Sequence, residues 1–233
     1  MAKLWVKTLN ISFNASGAAA AARQGNVVMV VDVIDMSTTA EAALEAGVLD
    51  VLGACPDQHN VPVTVNPEKI GYFAGKKAIK SETGVVIAAE PRYINNDDSD
   101  VDGINKVVKG IERAGAKIEK VVSNIGREIV NLVDLENKVL VIVSPSGGAA
   151  FDAAYNYGAP EVITGTVART NKMKGSKPAK IAADRAIESA LKCRSGITIV
   201  SSSSNSMEDV QAAQVIGQEI IKRGFLDMPL DEE

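Results

Sequence analysis

Apolar runs alternate with polar turns and alanine-rich segments along the chain. Val27–Val31 is a continuous apolar run, mostly β-branched, which predicts a strand buried on both faces. The hydroxyl residues Ser37–Thr39 follow it and can cap a helix, and Gly47 is placed to end that helix. Val48–Leu52 then resumes the apolar pattern. This stretch therefore predicts a strand, a polar turn, a helix and a second strand.

A second stretch repeats this pattern later in the chain. Shifted by 111 positions without a gap, residues 26–54 fall on residues 137–165. The coinciding residues are Val28 and Val139, Val30 and Val141, Ala42 and Ala153, Ala43 and Ala154, Gly47 and Gly158, and Val51 and Val162. Residues of these types suit any strand–helix unit, so chance similarity is the alternative explanation. We interpret the repeat as an internal duplication because strand, turn, helix end and second strand keep one register.

Strands and helices alternate along the rest of the chain. The other predicted strands are Leu4–Val6, Val85–Ala89, Ile118–Val122 and Ile197–Val200, and the other main helices are predicted at 67–80, 101–114, 178–192 and 207–223. This alternation predicts an α/β fold with a largely parallel sheet in three α/β/α layers. No low-complexity linker divides the chain. We therefore expect a single domain over residues 1–233 that contains two related strand–helix–strand halves.

Composition narrows the classes of function. The net charge of −4 and the lack of a lysine- or arginine-rich stripe argue against nucleic-acid binding. Two cysteines are too few for a disulfide framework, and the apolar runs are too short to span a membrane. The N-terminal residues lack the long apolar stretch and cleavage site of a signal peptide. These features predict a cytoplasmic protein.

Polar turns follow three of the predicted strands. They lie at Asp32–Thr39, Ser144–Gly148 and Ser201–Asp209. Ligands of parallel sheets bind just outside the carboxyl ends of the strands, so we expect these turns to lie together and flank one cleft. Asp32 and Asp209 would there be close enough to share a cation. The alternative for Asp32 is a carboxylate that only caps its own turn.

The residues of these turns resemble a known family. Asp32-Val33-Ile34-Asp35-Met36-Ser37-Thr38-Thr39 resembles the Asp-Val-Leu-Arg-Ala-Ser-Thr-Thr signature of the 2-phosphosulfolactate phosphatases. The segment that begins Ser206-Met207-Glu208-Asp209 is similar to the family's Ser-Leu-Glu-Asp segment. Ser144–Gly148 stands in place of the family's Thr-Thr-Asn-Gly-Thr turn, and Gly165–Asn171 in place of its Gly-Ser-hydrophobic segment. The resemblance covers about half of the chain, toward both ends.

The resemblance implies a magnesium-dependent phosphatase. The family hydrolyses a phosphate ester of sulfolactate, giving sulfolactate and phosphate, in coenzyme M biosynthesis. The catalytic residues it implies are Asp32, Glu208 and Asp209. The metal ligands for Mg²⁺ are Asp32, Asp209 and Glu82. The substrate-binding residues are Ser37, Thr38, Thr39, Ser144, Ser146, Gly147, Gly148 and Arg169, although the three hydroxyls at 37–39 also suit helix capping.

The chain departs from the family at residues that would bind the substrate. Asp35 replaces the arginine of the first signature, and Ser81–Gly84 matches a Gly-Glu-Arg segment without its arginine. Arginine is the natural partner of phosphate, carboxylate and sulfonate groups. Arg92, Arg169 and Lys172 also follow strands and are the cations available to take that role. A non-catalytic relative that binds an anionic metabolite, or serves in an assembly, is therefore the alternative.

The partners expected from sequence are few. The resemblance implies a small anionic or phosphorylated substrate, and nothing in the sequence indicates nucleic acid or a membrane. The one protein partner that we expect is a second copy of the chain, in a homodimer.

Overall fold

The computed structural model describes residues 6–90 and 103–228 of the chain. The strands are β1 (Leu9–Phe13), β2 (Val27–Val31), β3 (Asp50–Ala54), β4 (Val85–Ala89), β5 (Ile118–Ser123), β6 (Val139–Val143), β7 (Val162–Gly165) and β8 (Ile197–Ser201). The helices are α1 (Asn14–Arg23), α2 (Ser37–Glu45), α3 (Pro67–Lys80), α4 (Asn105–Ala114), α5 (Gly147–Asn156), α6 (Lys177–Cys193) and α7 (Met207–Lys222), with a 3-10 helix at Gly126–Asn131. In this part of the chain, no helix is long and apolar enough to cross a membrane.

Local sequence accounts for most of these elements. Every residue of β2, β4 and β6 is buried, as their continuous apolar runs predicted. α3 begins where Asn66 accepts a hydrogen bond from the Lys69 N–H at 3.0 Å and Pro67 occupies the first helical position. The first strand of the described residues is β1, whereas most of the predicted strand Leu4–Val6 lies outside them.

Within residues 6–90 and 103–228 all strand pairs are parallel, and they form two four-stranded sheets. Sheet A has the order β1-β8-β2-β7, and sheet B has the order β3-β6-β4-β5. The predicted α/β fold with a parallel arrangement and two halves is confirmed. The strands are divided between two sheets because each β–α–β unit of the repeat connects one sheet with the other.

Helices cover both faces of each sheet. α6 and α7 pack on the face of sheet A that presents Met29, Val31 and Ile199. α2 and α5 contact strands of both sheets, and α1 packs beside α5, so these three helices lie between the sheets. α3 lies on the outer face of sheet B with α4 packed against it. The two sheets therefore share one central layer of helices.

The two halves of the chain are interleaved. Each of the six strand pairings joins a strand from residues 9–89 to a strand from residues 118–201. Replacing β1, β2, β3 and β4 by β5, β6, β7 and β8, and the reverse, converts the order of sheet A into that of sheet B. The similarity thus extends well beyond residues 26–54 and 137–165. The fold has the arrangement of an intertwined dimer joined into one chain.

This arrangement predicts that neither half folds alone. A fragment of residues 1–115 contains four strands that do not pair with one another in the native sheets, and the same holds for residues 116–233. Cleavage at a protease site inserted after Gly115 should leave the two fragments in one particle, which size-exclusion chromatography would detect. Each purified fragment should lack strand signal in circular dichroism. Cooperative unfolding of either fragment by itself would contradict the interleaved pairing.

Candidate functional site

Two of the predicted turns meet at the carboxylate of Asp32. This residue directly follows β2 in sheet A and is only 2% exposed. Its Oδ2 accepts hydrogen bonds from the Ser146 hydroxyl at 2.7 Å and from the Gly147 backbone N–H at 2.6 Å. Its Oδ1 accepts from the Asp35 N–H at 3.0 Å. Because Gly147 opens α5 after sheet B, Asp32 places its charge at the positive end of a helix from the other half.

The third turn joins the first through Asp209. Oδ1 of this buried residue accepts a hydrogen bond from the Val33 N–H at 2.8 Å, and Oδ2 accepts from the Ser202 hydroxyl at 2.9 Å. Burial raises the pKa of the Asp209 carboxyl, these hydrogen bonds lower it, and the nearby charge of Asp32 raises it. The net shift is upward. The expectation that the three turns lie together is therefore confirmed.

Ser146 is shared by two carboxylates. Its hydroxyl lies 2.7 Å from Oδ2 of Asp32 and 3.3 Å from Oδ2 of Asp35. A hydroxyl carries a single proton, so it donates to one of these oxygens at a time. Asp35, Ser146 and the Asp32 carboxylate thus form a half-buried polar cluster between the carboxyl ends of the two sheets. Asp35 stands where the resembling family has arginine.

Asn124 is a buried polar residue that the sequence analysis missed. Its amide donates to the backbone carbonyl of Asp35 and to Oε1 of Glu90 at 2.8 Å, and it accepts from the Thr39 hydroxyl. It follows β5 directly, as Asp32 follows β2. The sequence signal for Asn124 is its position directly after a strand. The charged residues within β5 made that strand hard to recognise. Asn124 fixes the turn at Asp35 against sheet B.

Most of the predicted substrate-binding groups are engaged within the protein. The buried Ser37 hydroxyl accepts from the Asp32 N–H at 2.8 Å, and the Thr38 hydroxyl donates to the Val33 carbonyl at 2.6 Å. The Ser144 hydroxyl accepts from the Gly148 N–H at 2.8 Å. Thr39 is likewise bonded to Asn124, Gly147 to Asp32, and the half-buried Ser146 to the carboxylates of Asp32 and Asp35.

The remaining predicted residues lie in different places. Glu208 is exposed in the first turn of α7, next to Asp209, and accepts from the Ser206 hydroxyl at 3.2 Å. Arg169 is exposed in the loop after β7. Lys172, from the same loop, donates to the Glu45 carbonyl at 2.6 Å. Arg92 lies outside the described residues.

Glu82 is not part of this cluster. It precedes β4, whereas Glu90 and Asn124 adjoin the other end of that strand. Five residues of strand separate the two ends by roughly 16 Å. Glu82 instead borders a hollow at the amino edge of sheet B, together with Asp134, Glu136 and Lys138. The predicted metal set of Asp32, Asp209 and Glu82 is therefore corrected, because Glu82 lies at the wrong end of its strand.

The residues present fit Mg²⁺ only in its most hydrated mode. No three His, Cys, Asp or Glu side chains converge on one point within residues 6–90 and 103–228. Mg²⁺ commonly keeps several waters and takes one or two protein carboxylates plus substrate phosphate oxygens. Asp32 and Asp35, which reach the same hydroxyl, meet that smaller requirement.

Buried carboxylates of the central helices tie those helices to their surroundings. Asp152 of α5 accepts from the Cys55 N–H at 3.2 Å and from the Asn66 N–H at 2.6 Å, which fixes the loop between β3 and α3. Burial is the main cause that raises the pKa of Asp152, to about 6. Glu41, at the corresponding place in α2, pairs with Arg185 of α6. Burial likewise raises the pKa of Glu41, against the opposing charge of Arg185.

We expect Asp32→Asn to destabilise the protein by about 1–3 kcal/mol, because an amide replaces one acceptor oxygen with a donor that faces other donors. The pKa of Asp209 should fall in this variant, since a neighbouring negative charge is removed. Urea denaturation measures the first effect and carbon-detected NMR titration the second. The control Asp227→Asn, at an exposed position, should change stability by less than about 0.5 kcal/mol. An unchanged Asp209 titration would contradict the electrostatic coupling.

Asp152 predicts a pH dependence of stability. Its pKa is raised from 3.8 to about 6 in the folded protein, so the folded state binds this proton more tightly than the unfolded state. The contribution of Asp152 to stability is therefore fully present below pH 4 and is lost as the pH rises toward 6. Urea denaturation between pH 4 and 7 should show a larger loss in the native protein than in Asp152→Asn, which keeps the raised pKa values of Glu41 and Asp209. Equal pH profiles would refute it.

Comparison of the chain with protein-family models and with curated proteins gives no match. The functional argument therefore rests on the residues and on their geometry.

Proposed function

We propose that the chain is a magnesium-dependent phosphoric monoester hydrolase that acts on a small phosphorylated acid resembling 2-phosphosulfolactate. The observation that carries this proposal is the convergence of the Asp32 and Asp35 carboxylates on the Ser146 hydroxyl, with Asp209 close by. This cluster lies outside the carboxyl ends of parallel strands, where α/β proteins bind their ligands.

The charge of the cluster supports a cation-dependent reaction. Four carboxylates lie in or beside the turn at Asp32–Thr39, and their negative charge repels a phosphorylated acid. They belong to Asp32, Asp35, Glu90 and Asp209. A divalent cation would offset about half of this negative charge, and when bound it would neutralise phosphoryl oxygens and polarise the phosphorus. Asp32 and Asp35 are the residues that would hold Mg²⁺.

The other side chains would act on the substrate and on water. Ser146 can donate a hydrogen bond to a phosphate oxygen when its hydroxyl does not donate to Asp32 or Asp35. We assign to Glu208, which is exposed beside Asp209, the role of orienting a water molecule or accepting its proton. Arg169, exposed in the loop after β7, can pair with a second anionic group of the substrate.

The second candidate is a non-catalytic protein that binds an anionic metabolite. It is favoured by the way the Asp32 carboxylate and the Ser144 hydroxyl already accept hydrogen bonds from the first two N–H groups of α5. A site that is already hydrogen-bonded within the protein offers fewer groups to a transition state. This candidate predicts thermal stabilisation by the ligand without turnover.

Phosphate release from a panel of small phosphorylated acids, with and without Mg²⁺, tests the proposal. Glu208→Gln should lower kcat about 100-fold or more, because it removes a proton acceptor and keeps the shape of the side chain. Asp35→Asn should raise the Mg²⁺ concentration for half-maximal activity about tenfold or more.

Glu112→Gln is the matched control, since it makes the same change on the exposed surface of α4. It should leave both quantities unchanged. Ligand-dependent stabilisation without metal-dependent phosphate release would select the non-catalytic candidate. Neither stabilisation nor turnover across the panel would reject both.

A further inference from the structure

The strand β1 forms an open edge of sheet A. Among the described residues it pairs only with β8. The Ile197 N–H donates to the Thr8 carbonyl at 2.8 Å, and backbone groups alternate sides along a strand, so Asn10 and Ser12 point toward β8. Leu9, Ile11 and Phe13 consequently present their backbone N–H and C=O groups away from the sheet.

An open groove lies on each side of this edge. On the α7 side, a groove of about 280 Å³ is lined by Leu9, Ile11, Gly217 and Ile221 and is mainly apolar. On the α1 side, a groove of about 320 Å³ is lined by residues that include Asn10, Ser12 and Gln24 and is mainly polar. A strand added to β1 would direct alternate side chains into the two grooves. Its sequence should therefore alternate apolar residues with small polar ones.

The corresponding edge of sheet B is built differently. Its edge strand, β5, carries the charged residues Glu119 and Lys120 at its exposed positions. Charged side chains on an edge strand oppose pairing with another strand. β1 carries no charge and exposes Ile11 and Phe13 by about 40% each. Since the two edges hold the same place in related halves, the fold itself does not require β1 to be apolar.

We propose that β1 pairs with β1 of a second copy of this chain, in antiparallel orientation about a two-fold axis at Ile11. The sequence of β1 has the alternation that the two grooves require, with Leu9, Ile11 and Phe13 on the α7 side and Asn10 and Ser12 on the α1 side. Leu9 then lies opposite Phe13 of the second copy, and Ile11 lies opposite its own equivalent. No like charges face each other in this pairing, and the result is one eight-stranded sheet across the dimer.

Analytical ultracentrifugation over a range of concentrations tests this interface, and the native chain should sediment as a dimer. Ile11→Lys should raise the dissociation constant at least about tenfold, because the two-fold axis places two lysines together. Ile11→Pro should act similarly, since it removes an outward N–H and leaves the bonds to β8 in place. Ile221→Lys, on the α7 side of the groove, should also weaken the dimer and does not alter β1.

Ile79→Lys is the matched control, because Ile79 is 44% exposed on α3 and Ile11 is 40% exposed on β1. It should leave the dissociation constant unchanged. A native chain that stays monomeric at the highest concentration, or a dimer that survives the Ile11 and Ile221 variants, would overturn the proposal. Equal weakening by Ile79→Lys would overturn it as well. Folding of each variant is checked by circular dichroism.

Discussion

The pairing of every strand with strands from the other half of the chain is the constraint on which this structure depends. β1 and β8 are neighbours although they lie near opposite ends of the sequence. Neither sheet can form until both halves are present, and pairings between strands that lie far apart in the sequence form slowly. The central helices α2 and α5, which contact both sheets, bury apolar surface that neither sheet covers alone. Stability and site formation are therefore one cooperative event.

The candidate site is a direct consequence of this interleaving. The carboxyl ends of β2 and β6 belong to different sheets, and the Asp32 carboxylate joins them through Ser146 and Gly147. A charge that is only 2% exposed requires several hydrogen-bond donors, and three are supplied here, two of them by the other half. The positions of the two turns are thus determined jointly. A substitution in either turn therefore alters contacts that both sheets share.

Local features of the sequence were sufficient for most of the elements, although not for β1, and they did not indicate which strands are neighbours. The runs at Val27–Val31 and Val139–Val143 predicted buried strands because burial on both faces removes polar positions. Because every residue of such a strand is apolar, its sequence does not indicate which strands lie next to it. The division into two sheets could therefore not be predicted. Asn124 was missed because β5 is an edge strand with charged residues. Glu82 was misplaced because its assignment followed motif similarity alone, although Glu82 precedes the predicted strand Val85–Ala89.

The two halves also serve as internal controls for each other. In the 111-position register Asp32 corresponds to Val143, the last residue of β6, and Ser144 is the first residue after that strand. The Ser144 hydroxyl accepts one hydrogen bond from its own turn, and Oδ1 of Asp32 does the same for the N–H of Asp35. In the second half, the turn is thus capped by one neutral acceptor, the Ser144 hydroxyl. Asp32 differs from a hydroxyl cap in its second oxygen and its negative charge. The neighbouring negative charge of Asp209 repels this charge. Among the described residues, sheet A keeps two neighbouring buried carboxylates, Asp32 and Asp209, at its carboxyl edge, and their mutual repulsion is an electrostatic cost. This cost is the reason for assigning the proposed site to that edge.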